Sequence, residues 1–263
     1  MTKYKIEEIK TEKNKIPLRK CMKDGILPRF PFSLMLSGRS GSGKTNLMMN
    51  LMTRKEFYGN YFHCIIVCSP TAGKYDDMYK QLKLPDENFI SDFNPDFLND
   101  LIESRKSEID EKGIEKVAKS SRVCLILDDV IANRDFLNSP EALKMFALLR
   151  HYLCSVIVMM QSYTKLPRAL RLNCNGVIVF PCLQSEIEVL IKEVCPNGIR
   201  PRDFEKVIDY CTNGPYSFLY INNHEKDVKK RVRRNLDEVI NLDKFKVSQN
   251  KYINYKNDEP INN

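Results

Sequence analysis

The stretch "LMLSGRSGSGKTNLMM" (residues 34–49) sets a flexible, polar segment between two apolar runs. Its centre, "GRSGSGKT", fits the pattern G-x-x-x-x-G-K-[ST] throughout, with Gly38, Arg39, Ser40, Gly41, Ser42, Gly43, Lys44 and Thr45 in order. The flanks supply the context that such a loop needs. "FSLMLSG" is a short apolar run ending in glycine, which reads as a buried strand, and "GKTNLMMNLMTRK" continues with helical spacing. Glycines let backbone N–H groups turn toward phosphate oxygens, and the helix N-terminus adds its positive end. Lys44 is expected to reach the β- and γ-phosphates, and the Thr45 hydroxyl to ligate Mg²⁺. The expected ligands are ATP and Mg²⁺.

Outward from the loop, apolar runs alternate with helical patterns. "YFHCIIVCSP" reads as a second strand stopped by Pro70, and "RVCLILDD" (122–129) as a third. "CSVIVMMQS", "NGVIVFP" (175–181) and "PYSFLYINN" (215–223) read as three more. Residues 71–121 form a long polar insert, with a helix opening at Asn94-Pro95. "SPEALKMFALLRHYL" reads as a helix with Ser139 as N-cap and Pro140 at its first position. Two further helices are expected at 184–195 and 201–212. Strands apolar on both faces, alternating with helices, mean an α/β fold: a mostly parallel sheet with helices on both faces. Ligands then bind at the carboxyl ends of the strands.

That rule directs attention to two other strand ends. "CLILDD" puts Asp128 where a magnesium-shell carboxylate is needed, as in a Walker B motif, with Asp129 directly after it. Adjacent acids at a buried strand end repel unless a cation or a proton intervenes. The expected division gives Asp128 to the metal shell and Asp129 to the attacking water. An acid beside the metal ligand points to P-loop proteins that convert hydrolysis into mechanical work. In these a polar residue ends the strand beside Walker B, and Gln161 stands there.

Bulk properties bound the rest. At 263 residues, 43% of them hydrophobic, the chain holds one large domain with extensions. Nine cysteines with no CxxC pair, several inside apolar runs, read as buried free thiols in a reducing compartment. Cys174 and Cys182 with His151 or His224 match no standard zinc spacing. No apolar run approaches the roughly 18 residues of a membrane span, and the first 15 residues are charged throughout, so no membrane partner is expected. The expected organisation is a basic arm over 1–30, an ATPase domain over 31–223, and a basic segment with a mobile tail over 224–263.

The ordered set "LSGRSGSGKT … LILDD … LLRHYLCSVIVMMQSYTKLPRALRLNCNGVIVF" resembles the viral genome-packaging ATPases of the FtsK–HerA superfamily. It is similar in particular to the packaging ATPase of poxviruses, giant viruses and virophages. The specific part is the block after Walker B: a helix ending Arg-His, a strand ending Gln-Ser, then "LPRALRLN" and another strand. The resemblance implies a RecA-like P-loop NTPase domain in a homo-oligomeric ring, with ATP between subunits and an arginine finger from the neighbour. Arg150 is the first candidate for that finger, and Arg168 and Arg171 compete. It also implies a double-stranded DNA translocase that packages a viral genome in the infected-cell cytoplasm or the virion, docking on a capsid or portal-vertex protein.

A translocating motor grips the phosphate backbone without reading sequence. The run "KDVKKRVRR" (226–234) carries six basic residues, with Lys229, Lys230, Arg231, Arg233 and Arg234 as candidate contacts. Lys165, Arg168 and Arg171 add charge after the strand that ends at Gln161. Two rival readings share the loop: a replication helicase or ATP-binding scaffold, and a nucleotide kinase, which would need an arginine-bearing lid.

Overall fold

The computed structural model describes residues 16–70, 77–91, 95–129 and 137–246. Its strands are β1 (Ser33–Ser37), β2 (Cys64–Cys68), β3 (Phe89–Ile90), β4 (Val123–Asp128), β5 (Cys154–Met160), β6 (Gly176–Val179), β7 (Leu219–Asn222), β8 (Val232–Arg234) and β9 (Glu238–Val239). Its α-helices are α1 (Lys20–Lys23), α2 (Lys44–Thr53), α3 (Pro95–Lys112), α4 (Ile114–Ser120), α5 (Pro140–His151), α6 (Arg168–Leu172), α7 (Gln184–Val194) and α8 (Pro201–Thr212). The strands form one sheet in the order β3-β2-β4-β5-β1-β6-β7-β8-β9. Pairing is parallel from β3 through β6 and antiparallel from β6 through β9.

Residues alternate between the two faces along each central strand, and both sets are apolar. Met35, Leu125, Leu127, Val156, Val158 and Val177 join the core beneath α3, α5, α7 and α8. Leu34, Leu36, Cys124, Ile126, Ile157 and Ile178 join the one beneath α2 and α4. The period of two sends neighbouring residues to opposite faces, so a sheet covered twice needs uninterrupted apolar runs. That is why β1 and β5 are buried at every position. The cap on α5 is the expected one, with Ser139 Oγ accepting from Ala142 N at 3.2 Å and Pro140 in the first turn.

The chain departs from the expected organisation at both ends of the domain. The described part of the N-terminal segment is not a free arm, because Ile16, Cys21, Met22, Leu27 and Phe30 are buried in the α2 face. Nor does the sheet stop at 223. The basic run continues it, with Tyr220 opposite Arg233 and Arg234 opposite Glu238, and Leu242 and Phe245 pack on the α8 face. The expected mobile tail lies, past 246, outside the described residues.

Register positions the site. Ser37 pairs with Met160 on one side and Val179 on the other, and Asp128 pairs with Met159. Gly38, Asp129, Gln161 and Phe180 therefore leave the sheet along one carboxyl edge.

Candidate nucleotide site

The loop between β1 and α2 is built by its backbone. Gly43 caps α2 at φ +99°, a conformation that L side chains rarely adopt. Gly38 has a different reason to lack a side chain, since a Cβ there would stand 2.6 Å from the Cβ of Phe180. Gly38 N donates to Met160 O at 3.0 Å, and Phe180 N to Ser37 O at 2.8 Å, tying the loop to both neighbours. Lys44 Nζ curls back to donate to Gly38 O at 2.5 Å and Arg39 O at 3.0 Å. Burial pulls its pKa below the ordinary lysine value, against the charges of Asp128 and Asp129, which pull it up.

Across a cavity of about 300 Å³ the loop faces Asp128, Asp129 and Gln161. Asp129 holds a left-handed backbone at φ +53°, anchored by its N–H to Met159 O at 3.1 Å. With this turn both Asp128 and Asp129 line the cavity, although successive residues of a strand point to opposite faces. The Gln161 amide donates to Asp129 Oδ2. Asp129 Oδ1 and Ser42 Oγ are buried without a hydrogen-bond partner among the described residues. Orphaned acceptors beside an acid pair, opposite a lysine and a helix N-terminus, fit a polyphosphate with a divalent cation. The donors are hard oxygens, as magnesium prefers.

One site residue escaped the sequence reading. The Tyr79 hydroxyl donates to Asp128 Oδ2 at 2.5 Å, from a side chain 1% exposed at the head of a 3₁₀ turn, Tyr79–Leu82. It lies in the polar insert, 49 residues away, and no motif marks it. The only available signal was a tyrosine, one of two, in a mostly polar stretch after β2. Asp77, in the same insert, is exposed and accepts from Lys80 Nζ at 2.7 Å.

The arginine candidates separate. Arg150 closes α5 at the opposite, amino edge of the sheet, donating to Asn173 O at 3.3 Å and Asn175 Oδ1 at 3.5 Å. The seven residues of β5 put roughly 23 Å between that edge and Gln161. Arg150 therefore cannot serve the loop of its own subunit. It lines a cleft of about 780 Å³ with Lys23, Arg29, His151, His224 and Lys226. Burial and the nearby Arg150 and Arg231 hold the His224 pKa below the ordinary value.

Arg171 is corrected outright as a finger or DNA contact. It is 6% exposed and ion-paired with Glu193 at 2.6 Å, and it also donates to Leu166 O. Burial alone would raise the Glu193 pKa. Hydrogen bonds from Arg171 and Tyr163, with the charges of Arg171 and Arg168, bring it below the ordinary carboxylate value instead. Arg168 is exposed, 3.6 Å from the same glutamate.

Within the basic run, Arg233 is also corrected as a DNA contact, since it is buried in the sheet and donates to Leu236 O at 3.2 Å. Arg231 and Arg234 are half-buried and donate to Glu225 O and Asn213 O, both at 2.7 Å. Lys229 and Lys230 are exposed and Lys165 half-buried.

The family model described as Poxvirus A32 protein matches residues 20–212. Uncharacterized protein 075L of Invertebrate iridescent virus 6 is 26% identical over 201 residues, covering 74% of this chain and 71% of that protein. Among solved structures, B204, the DNA-packaging ATPase from Sulfolobus Turreted Icosahedral Virus, superposes with a TM-score of 0.56 at 16% identity. That match covers 78% of this chain and 98% of the other. B204 of Sulfolobus turreted icosahedral virus 2, in complex with ATP-gammaS, gives 0.54 at 16%, covering 77% and 96%. These structures share the fold. The chain belongs to the Poxvirus A32 protein family.

Proposed function

From its place in that family, we propose that the protein works as a ring of identical subunits that hydrolyse ATP to drive double-stranded DNA into a viral capsid. The observation that carries the reading is the convergence of the complete phosphate loop with Asp128, Asp129 and Gln161 on one polar cavity. Lys44 and the loop N–H groups would bind the phosphates, and Thr45 and Asp128 would hold magnesium. Bound magnesium would neutralise charge on the β- and γ-phosphate oxygens. Asp129, with its unpartnered Oδ1, orients the attacking water and accepts its proton. Gln161, bonded to the other oxygen, holds that carboxylate and lies where a γ-phosphate would be sensed.

Arg150 acts on the neighbouring subunit. It is a charged group too far from its own loop, at the edge opposite the cavity. Arg168 remains the alternative, being exposed. Of the candidate cations, Lys165, Arg168, Lys229 and Lys230 keep enough exposure to meet a DNA backbone, Arg168 and Lys230 each with an acid within 4 Å, and a capsid or portal-vertex protein would receive the ring. The work belongs in the infected cell, where capsids are filled. Among the described residues no helix is long and apolar enough to cross a membrane.

The test is the ATPase rate across protein concentrations, with and without double-stranded DNA. Specific activity should rise with concentration, and DNA should stimulate it in a salt-sensitive way. A rate independent of both would return the nucleotide-kinase reading to the lead. Strand separation would instead favour the helicase.

A further inference from the structure

The order of the sheet fixes which way a nucleotide must lie. The acid pair and Gln161 stand at the ends of β4 and β5, on one side of β1. The terminal phosphate must face them, so the phosphates cross the loop and the nucleoside leaves on the other side, over β6 and β7. Because β7 is antiparallel to β6, with Leu219 opposite Val179, the residues just before Leu219 arrive at the carboxyl edge beside the loop.

Tyr216 is one of them. The residue is 72% exposed, the highest value for a large hydrophobic among the described residues. Yet it is not adrift. Its Cδ1 lies 3.1 Å from where a Cβ on Gly43 would stand, so the ring leans on the start of α2. A left-handed backbone at φ +57° presents it there, while the next two residues, Ser217 and Phe218, are buried. Phe180 lies behind it, packed on Phe218 with ring centroids 5.2 Å apart. A tyrosine in a strained conformation, held beside a phosphate loop with its face in water, has the chemistry of a stacking platform.

We propose that Tyr216 is the platform on which the base of the nucleotide stacks, and that it favours purine over pyrimidine triphosphates. The larger ring system covers more of the tyrosine face. The inference rests on the ATP-hydrolysing reading above and adds to it the residue that receives the base. Aromatic–base stacking is worth roughly 5- to 150-fold in affinity per base.

The test compares ATP with inorganic tripolyphosphate, which offers the phosphates without a base, by calorimetric titration of the full chain. Tyr216→Ala should weaken ATP about 10-fold or more, leave tripolyphosphate unchanged, and narrow the preference for ATP over CTP. Tyr216→Phe should bind ATP as wild type does. Equal weakening of both ligands would mean that the ring only shapes the loop, and unchanged ATP affinity would mean that the base lies elsewhere; either result overturns the inference. Lys44→Ala separates the two readings, since it should weaken both ligands. Wild-type protein that binds neither would sink the nucleotide site itself, and this inference with it.

Discussion

The two edges of the sheet carry their polar groups in opposite ways. At the carboxyl edge, Gly38 to Thr45 form a site largely of backbone, and three side chains from two neighbouring strand ends complete it. At the amino edge, Arg150, Asn175 and His224 form a chain of side chains around a cleft. There Asn175 Nδ2 meets His224 Nε2 at 2.5 Å, and Asn175 Oδ1 accepts from Ser33 N at 2.6 Å. A backbone site announces itself as a motif, because glycines are needed at fixed spacing. A side-chain network has no fixed spacing. The first edge gathers its groups within one chain, whereas the second, on the proposed reading, holds in Arg150 a cation for another chain's nucleotide.

The largest expected effect attacks the first edge. Lys44→Ala should lose tight ATP binding and drop turnover to background, with circular dichroism unchanged, since Lys44 supports only its own loop. Wild-type turnover in that variant would remove the ATPase reading.

Next comes the second edge. Arg150→Ala should lose roughly 10³–10⁵ in rate. Mixed with Lys44→Ala it should recover part of the activity, as some interfaces then pair an intact loop with an intact arginine. No recovery on mixing would merge the two edges into one cis site or make Arg150 merely structural.

Arg171 sharpens the contrast, as an arginine of the segment after Gln161 that is committed to the fold. Arg171→Ala should cost about 3–5 kcal/mol of stability, measured by urea unfolding, because it strands the buried Glu193. The same pair sets a pH dependence. The folded pKa of Glu193 lies below its unfolded value of about 4.3, so its contribution is present above that value. It is lost as pH falls through the lower folded value. Glu193→Gln should show a smaller stability loss than wild type between neutral pH and pH 3.

The smallest effect concerns the support of the metal ligand. Tyr79→Phe removes the hydroxyl that holds Asp128 and should raise the Mg²⁺ concentration for half-maximal rate about 10-fold, while metal-free ATP affinity stays constant. An unaltered magnesium dependence would reduce Tyr79 to packing against Phe89.

What could be read in advance follows the same physics. Helix α8 was legible to the residue, since Pro201 opens it and Phe204, Val207, Ile208 and Cys211 mark one buried face. The central strands were legible because both faces are buried. Strand β8 was not. In "RVRRNLDEVI" only Val232 and, eight residues on, Ile240 mark inward positions, and buried Arg233 looks like part of a solvated basic run. The turn that makes it a hairpin hangs on Asn235 at φ +54°. Arg168 and Arg171 shared one expected role because sequence cannot say which of them turns inward to Glu193. The acid pair and Gln161 were found from strand ends alone, whereas Tyr79 needed the fold to bring the insert back.

The position of β1 also governs when the site can exist. Its two hydrogen-bonding neighbours are β5 and β6, whose residues lie more than 100 positions later in the chain. Phe32 N even takes its acceptor from Ser155, 123 residues on. On a translating ribosome the phosphate loop is finished early, yet the strand that orients it must wait for residue 179. At roughly 5–20 residues per second that wait is about 7–30 seconds. A nascent chain cut before β5 should carry the whole GRSGSGKT sequence and still fail to retain ATP, so nucleotide can reward the finished sheet but cannot template it.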